Sequence, residues 1–84
     1  MEQTISKGPL HGVTVLDLTR VVAGPFCTGW LADMGATVIK IENPGDGGDH
    51  TRASEPVING FSAWYAALNR SKKTVTLNLK DPEG

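Results

Sequence analysis

The sequence predicts an α/β fold in which parallel strands form one sheet with flanking helices. Two β-branched, apolar segments, residues 13–18 and 37–42, flank a segment whose apolar residues recur at helical spacing. A third segment of strand character, residues 74–79, follows a short helical pattern. Strands and helices that alternate across short loops form βαβ units, in which the strands are parallel and the crossover is right-handed.

Length and composition place the chain among ordinary globular proteins. Its 84 residues are fewer than the roughly 100–150 residues of a usual domain. Hydrophobic residues make up 39% of the chain, charged residues make up 20%, and the formal net charge is −1. A charge this small gives no general attraction to nucleic acid or to anionic membranes.

The sequence carries no pattern typical of export or membrane insertion. The single cysteine excludes an internal disulfide and fits a reducing compartment. The first residues lack the apolar core of a signal peptide, and no apolar run approaches the ~18 residues of a membrane span. We therefore expect a cytoplasmic protein.

The first helix is expected to begin at Gly24-Pro25, after a turn, and to end at Gly35. Proline in the first helical turn loses only a donor that has no helical partner, and glycine suits a left-handed helix end. Helical spacing predicts one apolar face, on which the only cysteine is a buried structural residue. This face comprises Phe26, Cys27, Trp30, Leu31 and Met34.

The middle of the chain is predicted to be a long connection with one short helix. A glycine-rich loop covers residues 44–49, and the polar residues 50–59 are expected to stay irregular. Residues 61–68 form the helix, with Trp64 and Tyr65 partly buried.

The end of the chain predicts an incomplete domain. A basic turn at residues 69–73 leads into the third strand. Residues 81–83 then have the acid, proline and glutamate that begin a helix. A parallel sheet is normally covered by helices on both faces, and this sequence supplies too few. We expect residues 1–84 to be the N-terminal part of a larger domain, with residues 1–8 as a flexible lead-in.

The loop between the first strand and the first helix is the first candidate binding site. Ligands of open α/β sheets bind beyond the carboxyl ends of the strands, where helix N-termini present free N–H groups. Residues 20–25 occupy that place. The same residues also fit an ordinary turn, and both interpretations stay open.

Neither Glu42 nor the acidic, glycine-rich loop that follows it is expected to bind a ligand. Glu42 ends the second strand, where dinucleotide-binding folds keep an acid, but the G-x-G-x-x-G fingerprint is absent. Glu42 is therefore expected to be solvated or to pair with a cation. The loop at residues 45–49 contains two aspartates, which would repel phosphate, so a flexible surface or interface loop is favoured.

A cluster of cations is the second candidate site. Arg70, Lys72, Lys73 and Lys80 suit phosphate oxygens, and this interpretation is favoured over that of a solvated loop. The two histidines lack metal-ligand spacing, and no metal is expected. Asp17 and Asp33 have no evident partner for acid–base work, so residue chemistry alone names no reaction.

The chain as a whole resembles the N-terminal part of the family III CoA-transferases, the group that includes formyl-CoA and carnitine CoA-transferases and α-methylacyl-CoA racemases. The similarity runs in the family's order and spacing from residue 9 to residue 84. The matching motifs begin with Pro9-Leu10-x-Gly12-Val13-x-Val15-Leu16-Asp17-Leu18-Thr19 and Ala23-Gly24-Pro25-Phe26. They continue with Leu31-Ala32-Asp33-Met34-Gly35-Ala36-x-Val38-Ile39-Lys40-Ile41-Glu42, Pro44-Gly45-x-Gly47 and Asn69-Arg70-x-Lys72-Lys73-x-Val75-x-Leu77-Asn78-Leu79-Lys80.

This resemblance implies a Rossmann-like large domain in an interlocked homodimer that transfers coenzyme A from an acyl-CoA donor to a carboxylic acid. It also implies an aspartate that attacks the thioester and forms a mixed anhydride, a form of nucleophilic catalysis. No aspartate of this chain matches that motif, so the catalytic residue is expected beyond residue 84.

The resemblance also implies part of a coenzyme A site. Val22 and Ala23 match positions that line the cleft for CoA and the reacting groups. The stretch Leu77, Asn78, Leu79 and Lys80 matches one that contacts the adenosine end, with Lys80 nearest the phosphates. Asn43 stands where relatives often have a basic residue, so it can form hydrogen bonds but no ion pair with phosphate. The apolar Val22 argues against formyl-CoA as the substrate.

Two alternatives to CoA transfer remain at this stage. Racemases of 2-methylacyl-CoA share the same N-terminal pattern but exchange an α-proton by acid–base catalysis. Their connection between the glycine loop and the basic turn tends to be short, whereas residues 49–68 here resemble those of the transferases. An inactive, truncated CoA-binding fragment is the further alternative.

Overall fold

The computed structural model describes residues 8–84 and shows alternating strands and helices. Residues 1–7 of the predicted lead-in lie outside the described residues. The chain after the lead-in is attached to the fold, since the Leu10 amide donates a hydrogen bond to the Met34 carbonyl at 2.9 Å. Short 3₁₀ turns cover Pro44–Asp46 and His50–Ala53. The main elements are β1 (Thr14–Asp17), α1 (Ala23–Asp33), β2 (Thr37–Glu42), β3 (Val57–Ile58), β4 (Phe61–Ser62), α2 (Ala63–Asn69) and β5 (Lys73–Thr76).

Three parallel strands form the main sheet in the order β1-β2-β5, which confirms the predicted α/β class. The central strand, β2, has the bounds that its sequence predicts. By contrast, β5 ends at Thr76, three residues before the predicted end. The Asn78 side chain accepts a hydrogen bond from the Lys80 amide at 3.0 Å. Such local side-chain bonding favours a turn over a continued strand.

Helix α1 begins at Ala23, so Pro25 is its third residue and still lies in the tolerant first turn. Gly35 follows the helix with φ of 103°, as the sequence predicts. The orientation of the helix was predicted wrongly. Its buried residues are Pro25, Thr28 and Gly29. The apolar residues Phe26 and Trp30 are 52% and 58% exposed, and Cys27 is also exposed.

Close packing between the two helices explains this orientation. A Cβ atom added to Gly29 would lie 3.1 Å from the carbonyl oxygen of Leu68 in α2. Only a small residue fits at that contact. The helix face that carries Pro25, Thr28 and Gly29 is therefore buried, and the large apolar side chains on the other face stay exposed to solvent. Hydrophobic periodicity identifies a helix, but it does not report this steric limit.

The connection between β2 and β5 is more regular than predicted. The stretch expected to be irregular contains the second 3₁₀ turn, and β3 pairs with β4 in an antiparallel hairpin. Ser62 caps α2 by accepting a hydrogen bond from the Tyr65 amide. Tyr65 is half-buried, as expected, whereas Trp64 is 44% exposed.

The basic turn before β5 serves mainly to hold the fold together. The Lys72 ammonium lies 3.0 Å from the Asp17 carboxylate, and neither side chain reaches solvent. Arg70 forms an exposed ion pair with Asp33 at the end of α1. The predicted phosphate-binding role of this turn is therefore wrong for Lys72, whose ammonium is buried against Asp17, whereas it stays a prediction for the exposed Arg70.

The interior between the sheet and the two helices is unusually polar. In the described part of the chain, the buried apolar residues are Ala36, Val38 and Leu68. Charged residues of β1 and β2, among them Asp17 and Lys40, are buried beside them. Within residues 8–84, every buried side-chain nitrogen and oxygen has a hydrogen-bond partner. Ion pairing therefore takes the place that apolar packing has in most cores.

The opposite face of the sheet is apolar and open to solvent. Leu16 of β1 is 64% exposed, and Val75 of β5 is 38% exposed. Ile39 and Ile41 of β2 share this face and are half-buried. Neither helix within residues 8–84 combines the length and the apolar character needed to cross a membrane.

We predict that the two cations of the basic turn differ sharply in their contribution to stability. Lys72→Met should lower the free energy of unfolding by about 3–5 kcal/mol, because it leaves the buried Asp17 without its cation. Arg70→Met is the matched control and should cost less than about 1 kcal/mol, because its ion pair is exposed. Urea unfolding of the protein measures both values, and equal losses would contradict the assignment.

Candidate functional site

A cavity of about 250 Å³ lies at the carboxyl edge of the main sheet, beyond the ends of its strands. One wall is the loop after β1, and the opposite wall is the segment after β5. The floor is formed by the end of β2 and the glycine-rich loop. The lining residues are Leu18, Thr19, Arg20, Ile41, Glu42, Asn43, Gly48, Asp49, Leu77, Asn78, Leu79 and Lys80.

The first wall is anchored to the sheet by Asp17, the last residue of β1. Its carboxylate accepts hydrogen bonds from the Thr19 amide at 2.9 Å and from the Thr28 hydroxyl at 2.8 Å. Burial alone would raise the pKa of Asp17, but the hydrogen bonds from Thr19, Thr28 and Lys72 lower it. Asp17 therefore remains an ionised structural anchor.

Glu42 lies in the floor of the cavity and forms a bidentate ion pair with Arg52. The Arg52 guanidinium donates to its two carboxylate oxygens at 2.8 and 2.7 Å, and the Tyr65 hydroxyl donates to it at 2.6 Å. The hydrogen bond from Arg52 is the main cause that lowers the pKa of Glu42 to about 2. Burial, together with the Glu42 carboxylate, raises the pKa of Tyr65 to about 12. Of the two interpretations of Glu42, the structure supports pairing with a cation.

Asp49 joins the glycine-rich loop to the first wall. The Lys40 ammonium lies 2.8 Å from its carboxylate, and the two side chains are 1% and 0% exposed. Burial raises the pKa of Asp49, but hydrogen bonds from Lys40, Thr51 and Val21 outweigh it and lower the pKa to about 2. Of the predicted alternatives, a flexible surface loop or an interface loop, the first is wrong at the end of this loop, because Gly48 and Asp49 are buried.

The second wall follows directly from the end of β5. The Leu77 amide donates to the Glu42 carbonyl at 3.0 Å, which fixes the start of the wall beside β2. The segment then turns at Asn78, and Lys80 lies exposed at its end. Lys80 is the member of the predicted cation cluster that lines the cavity.

The structure brings five of the seven predicted site residues together. The cavity is lined by Asn43, Leu77, Asn78, Leu79 and Lys80. Val22 and Ala23 do not line it, since they precede and begin α1, next to the first wall.

The sequence did not predict several residues that form the site. Asp49 and Arg52 were assigned to loops without a role, because nothing in their spacing shows which carboxylate or cation they meet. Lys40 offered the clearest available signal. A lysine flanked by isoleucines in a central strand must bury its charge beside an acid.

The arrangement favours binding over bond-breaking chemistry. Glu42 and Asp49 belong to the residues that line the cavity, and each carboxylate is neutralised by a cation, the exposed Arg52 for Glu42 and the buried Lys40 for Asp49. Because both have pKa values of about 2, neither serves as a proton donor near neutral pH. With these charges compensated, the exposed ammonium of Lys80 at the second wall favours an anionic ligand.

Comparison with known proteins agrees with the fold. Residues 10–84 match the family model described as CoA-transferase family III. The chain is 51% identical over 79 residues to succinyl-CoA:glutarate CoA-transferase of Mus musculus, covering 94% of this chain and 18% of that protein. It is 49% identical over 75 residues to acetyl-CoA:oxalate CoA-transferase of Acetobacter aceti, covering 89% and 19%.

A solved structure shows the same architecture. A CAIB/BAIF family protein from Brucella suis superimposes with a TM-score of 0.81 at 39% identity, covering 92% of this chain and 21% of that one. The chain thus spans about a fifth of the length of the relatives that it matches.

We predict that the contribution of Glu42 to stability depends on pH through Arg52. A carboxylate with a lowered folded pKa stabilises the fold above its ordinary pKa of 4.5, and this effect is lost as pH falls towards 2. Arg52→Gln should therefore cost about 1–3 kcal/mol at pH 7, a range that allows for the 43% exposure of Arg52. This cost should shrink steadily between pH 4.5 and 2.

Urea unfolding of the protein at several pH values from 7 to 3 measures this difference. Arg70→Gln is the control, because it removes an arginine from an exposed ion pair away from Glu42. A cost of Arg52→Gln that is the same at every pH would contradict the assignment of the ion pair.

Proposed function

The chain belongs to CoA-transferase family III, and we propose that it supplies the part of a CoA-transferase that holds the nucleotide end of coenzyme A. The observation that carries the proposal is the cavity at the carboxyl edge. Five residues of the CoA site implied by family resemblance line it together, although they come from separate segments of the chain.

The size of the cavity supports binding of one end of the ligand. Pockets that enclose a whole small ligand usually measure about 300–1,000 Å³, whereas this one measures about 250 Å³. It suits the adenosine end of CoA, with the rest of that long molecule continuing elsewhere. Val22 and Ala23 lie beside the first wall and outside the cavity, and we expect them to meet the part of CoA that leaves it.

The charges of the cavity support a phosphorylated ligand. Lys80 stands at the end of the second wall, where its ammonium suits phosphate oxygens. Asn43 contributes less than a basic residue would, since its side-chain oxygen already accepts a hydrogen bond from the Gly45 amide at 2.8 Å. Glu42 and Asp49 are each paired with a cation, so these two carboxylates oppose a phosphate less than unpaired carboxylates would.

The reaction of the whole protein is proposed to be CoA transfer from an acyl-CoA to a carboxylic acid. An aspartate outside these residues would attack the donor thioester. This step breaks the carbon–sulfur bond, forms an acyl–aspartyl anhydride and releases the CoA thiolate. The thiolate attacks the aspartyl carbonyl, which releases the donor acid as a carboxylate and forms an aspartyl-CoA thioester. The acceptor carboxylate attacks that thioester to form a second anhydride, and the freed thiolate attacks the acceptor's carbonyl, which forms the new acyl-CoA and regenerates the aspartate. Relatives named for glutarate and oxalate suggest a short dicarboxylic acid as the acceptor.

The larger assembly is part of the same proposal. The apolar sheet face that includes Leu16 and Val75 is exposed here, which fits an N-terminal portion of a larger Rossmann-like domain. The interlocked homodimer remains an expectation that follows from family resemblance, and the cytoplasmic location remains one that follows from the sequence pattern.

An assay in deuterated water tests this function. The intact protein that contains this chain is incubated with a panel of acyl-CoAs and short carboxylic acids, and mass spectrometry follows new thioesters and deuterium at the α-carbon. We expect new acyl-CoA species without α-deuterium. Deuterium uptake without new thioesters would instead indicate a racemase and would overturn the proposed reaction, while leaving CoA binding intact.

A further inference from the structure

The loop that forms the first wall contains a residue in an unfavourable backbone conformation. Val21 has φ of 76°, in the left-handed region that β-branched residues rarely adopt. Such a conformation persists only where the surrounding structure holds it. Because Val21 lies between Arg20, which lines the cavity, and Val22, which caps α1, its conformation sets the direction of the chain at this wall.

The buried pair of Lys40 and Asp49 holds this loop at two points. The Val21 amide donates to the two carboxylate oxygens of Asp49 at 3.2 and 3.4 Å. The Lys40 ammonium donates to the Thr19 carbonyl at 3.0 Å as well as to Asp49 at 2.8 Å. The two contacts flank Arg20, so the pair fixes the backbone on both sides of that residue.

Asp49 is itself held firmly by the floor of the cavity. Its amide donates to Glu42 at 2.8 Å. Its carboxylate also accepts hydrogen bonds from the amide and hydroxyl of Thr51, at 2.9 and 2.8 Å. A continuous set of contacts therefore runs from the Arg52–Glu42 ion pair, through Asp49, to the strained Val21.

We propose that Lys40 and Asp49 are positioning residues that hold the loop at residues 19–22 in its strained conformation and so set the position of the first wall of the CoA cavity. The identity of the ligand rests on the function proposed above, whereas the restraint on the loop does not. Neither residue needs to touch the ligand for this role, since both act through the backbone of Thr19 and Val21.

Hydrogen–deuterium exchange of the ligand-free intact protein tests the restraint directly. In Asp49→Asn, peptides that cover residues 18–23 should exchange faster by on the order of tenfold, because the loop loses its charged acceptor. Peptides from β2 and β5 should keep their wild-type rates. Asp33→Asn is the matched control, since it removes an aspartate from an exposed ion pair at the far end of α1, and it should leave the loop unchanged.

A second substitution separates positioning from a general loss of stability. Calorimetric titration with coenzyme A should show weaker binding by Asp49→Asn than by wild type, by roughly tenfold. Adding Val21→Gly should restore most of that loss, because glycine adopts positive φ without steric cost. Urea unfolding of the same variants reports overall stability, and a CoA affinity that follows the free energy of unfolding rather than the exchange rate of residues 18–23 would contradict a positioning role.

If Asp49→Asn does not fold, Lys40→Met with Asp49→Asn takes its place, because this pair leaves no unpaired buried charge. Unchanged exchange of the loop, or a failure of Val21→Gly to improve CoA binding, would overturn the inference. Absence of CoA binding by the wild-type protein would refute the proposed function instead, and the exchange rates would still decide whether Lys40 and Asp49 restrain the loop.

Discussion

Neutralisation of buried charge is the constraint on which this structure depends. The strands β1 and β2 carry Asp17, Lys40 and Glu42 into an interior that holds few apolar residues. An unpaired charge there would cost several kcal/mol, so each needs a partner of opposite sign. Those partners are Lys72, Asp49 and Arg52, which come from three different loops or turns. Satisfying the charges therefore also determines where the connecting segments lie.

This pairing explains how a binding site forms at an edge that carries carboxylates. Loops that follow parallel strands meet beyond their carboxyl ends, where ligands of open α/β sheets bind. Here the loop after β1 and the glycine-rich loop are held by the ion pairs that neutralise the strand ends, whereas a backbone hydrogen bond from Leu77 to Glu42 fixes the second wall. The proposed binding of an anion rests on the pairing of Glu42 and Asp49 with cations and on the positive charge of Lys80 at the second wall.

The sequence predicted local structure well and side-chain partners poorly. The bounds of β2, the parallel sheet and the positive φ of Gly35 follow from β-branched runs and turn residues, whose effects are local. The inward face of α1 was assigned wrongly, because the contact between Gly29 and Leu68 depends on tertiary packing. Lys72 illustrates the same limit, since three neighbouring cations suggest phosphate binding until the position of Asp17 is known. The candidate site was reached through family resemblance, and the residues that restrain its loop became visible only in three dimensions.

The affinity of the intact protein for coenzyme A, compared between Lys80→Met and the matched variant Lys73→Met, tests the central claim most directly. Both changes remove one exposed lysine, Lys73 from β5 and Lys80 from the segment after it, and of the two only Lys80 lines the cavity. A charge-assisted hydrogen bond to phosphate contributes about 1.5–3 kcal/mol, so Lys80→Met should weaken binding by at least roughly tenfold. Lys73→Met should bind like wild type. Equal affinities of the two variants would contradict the placement of CoA phosphates at the second wall.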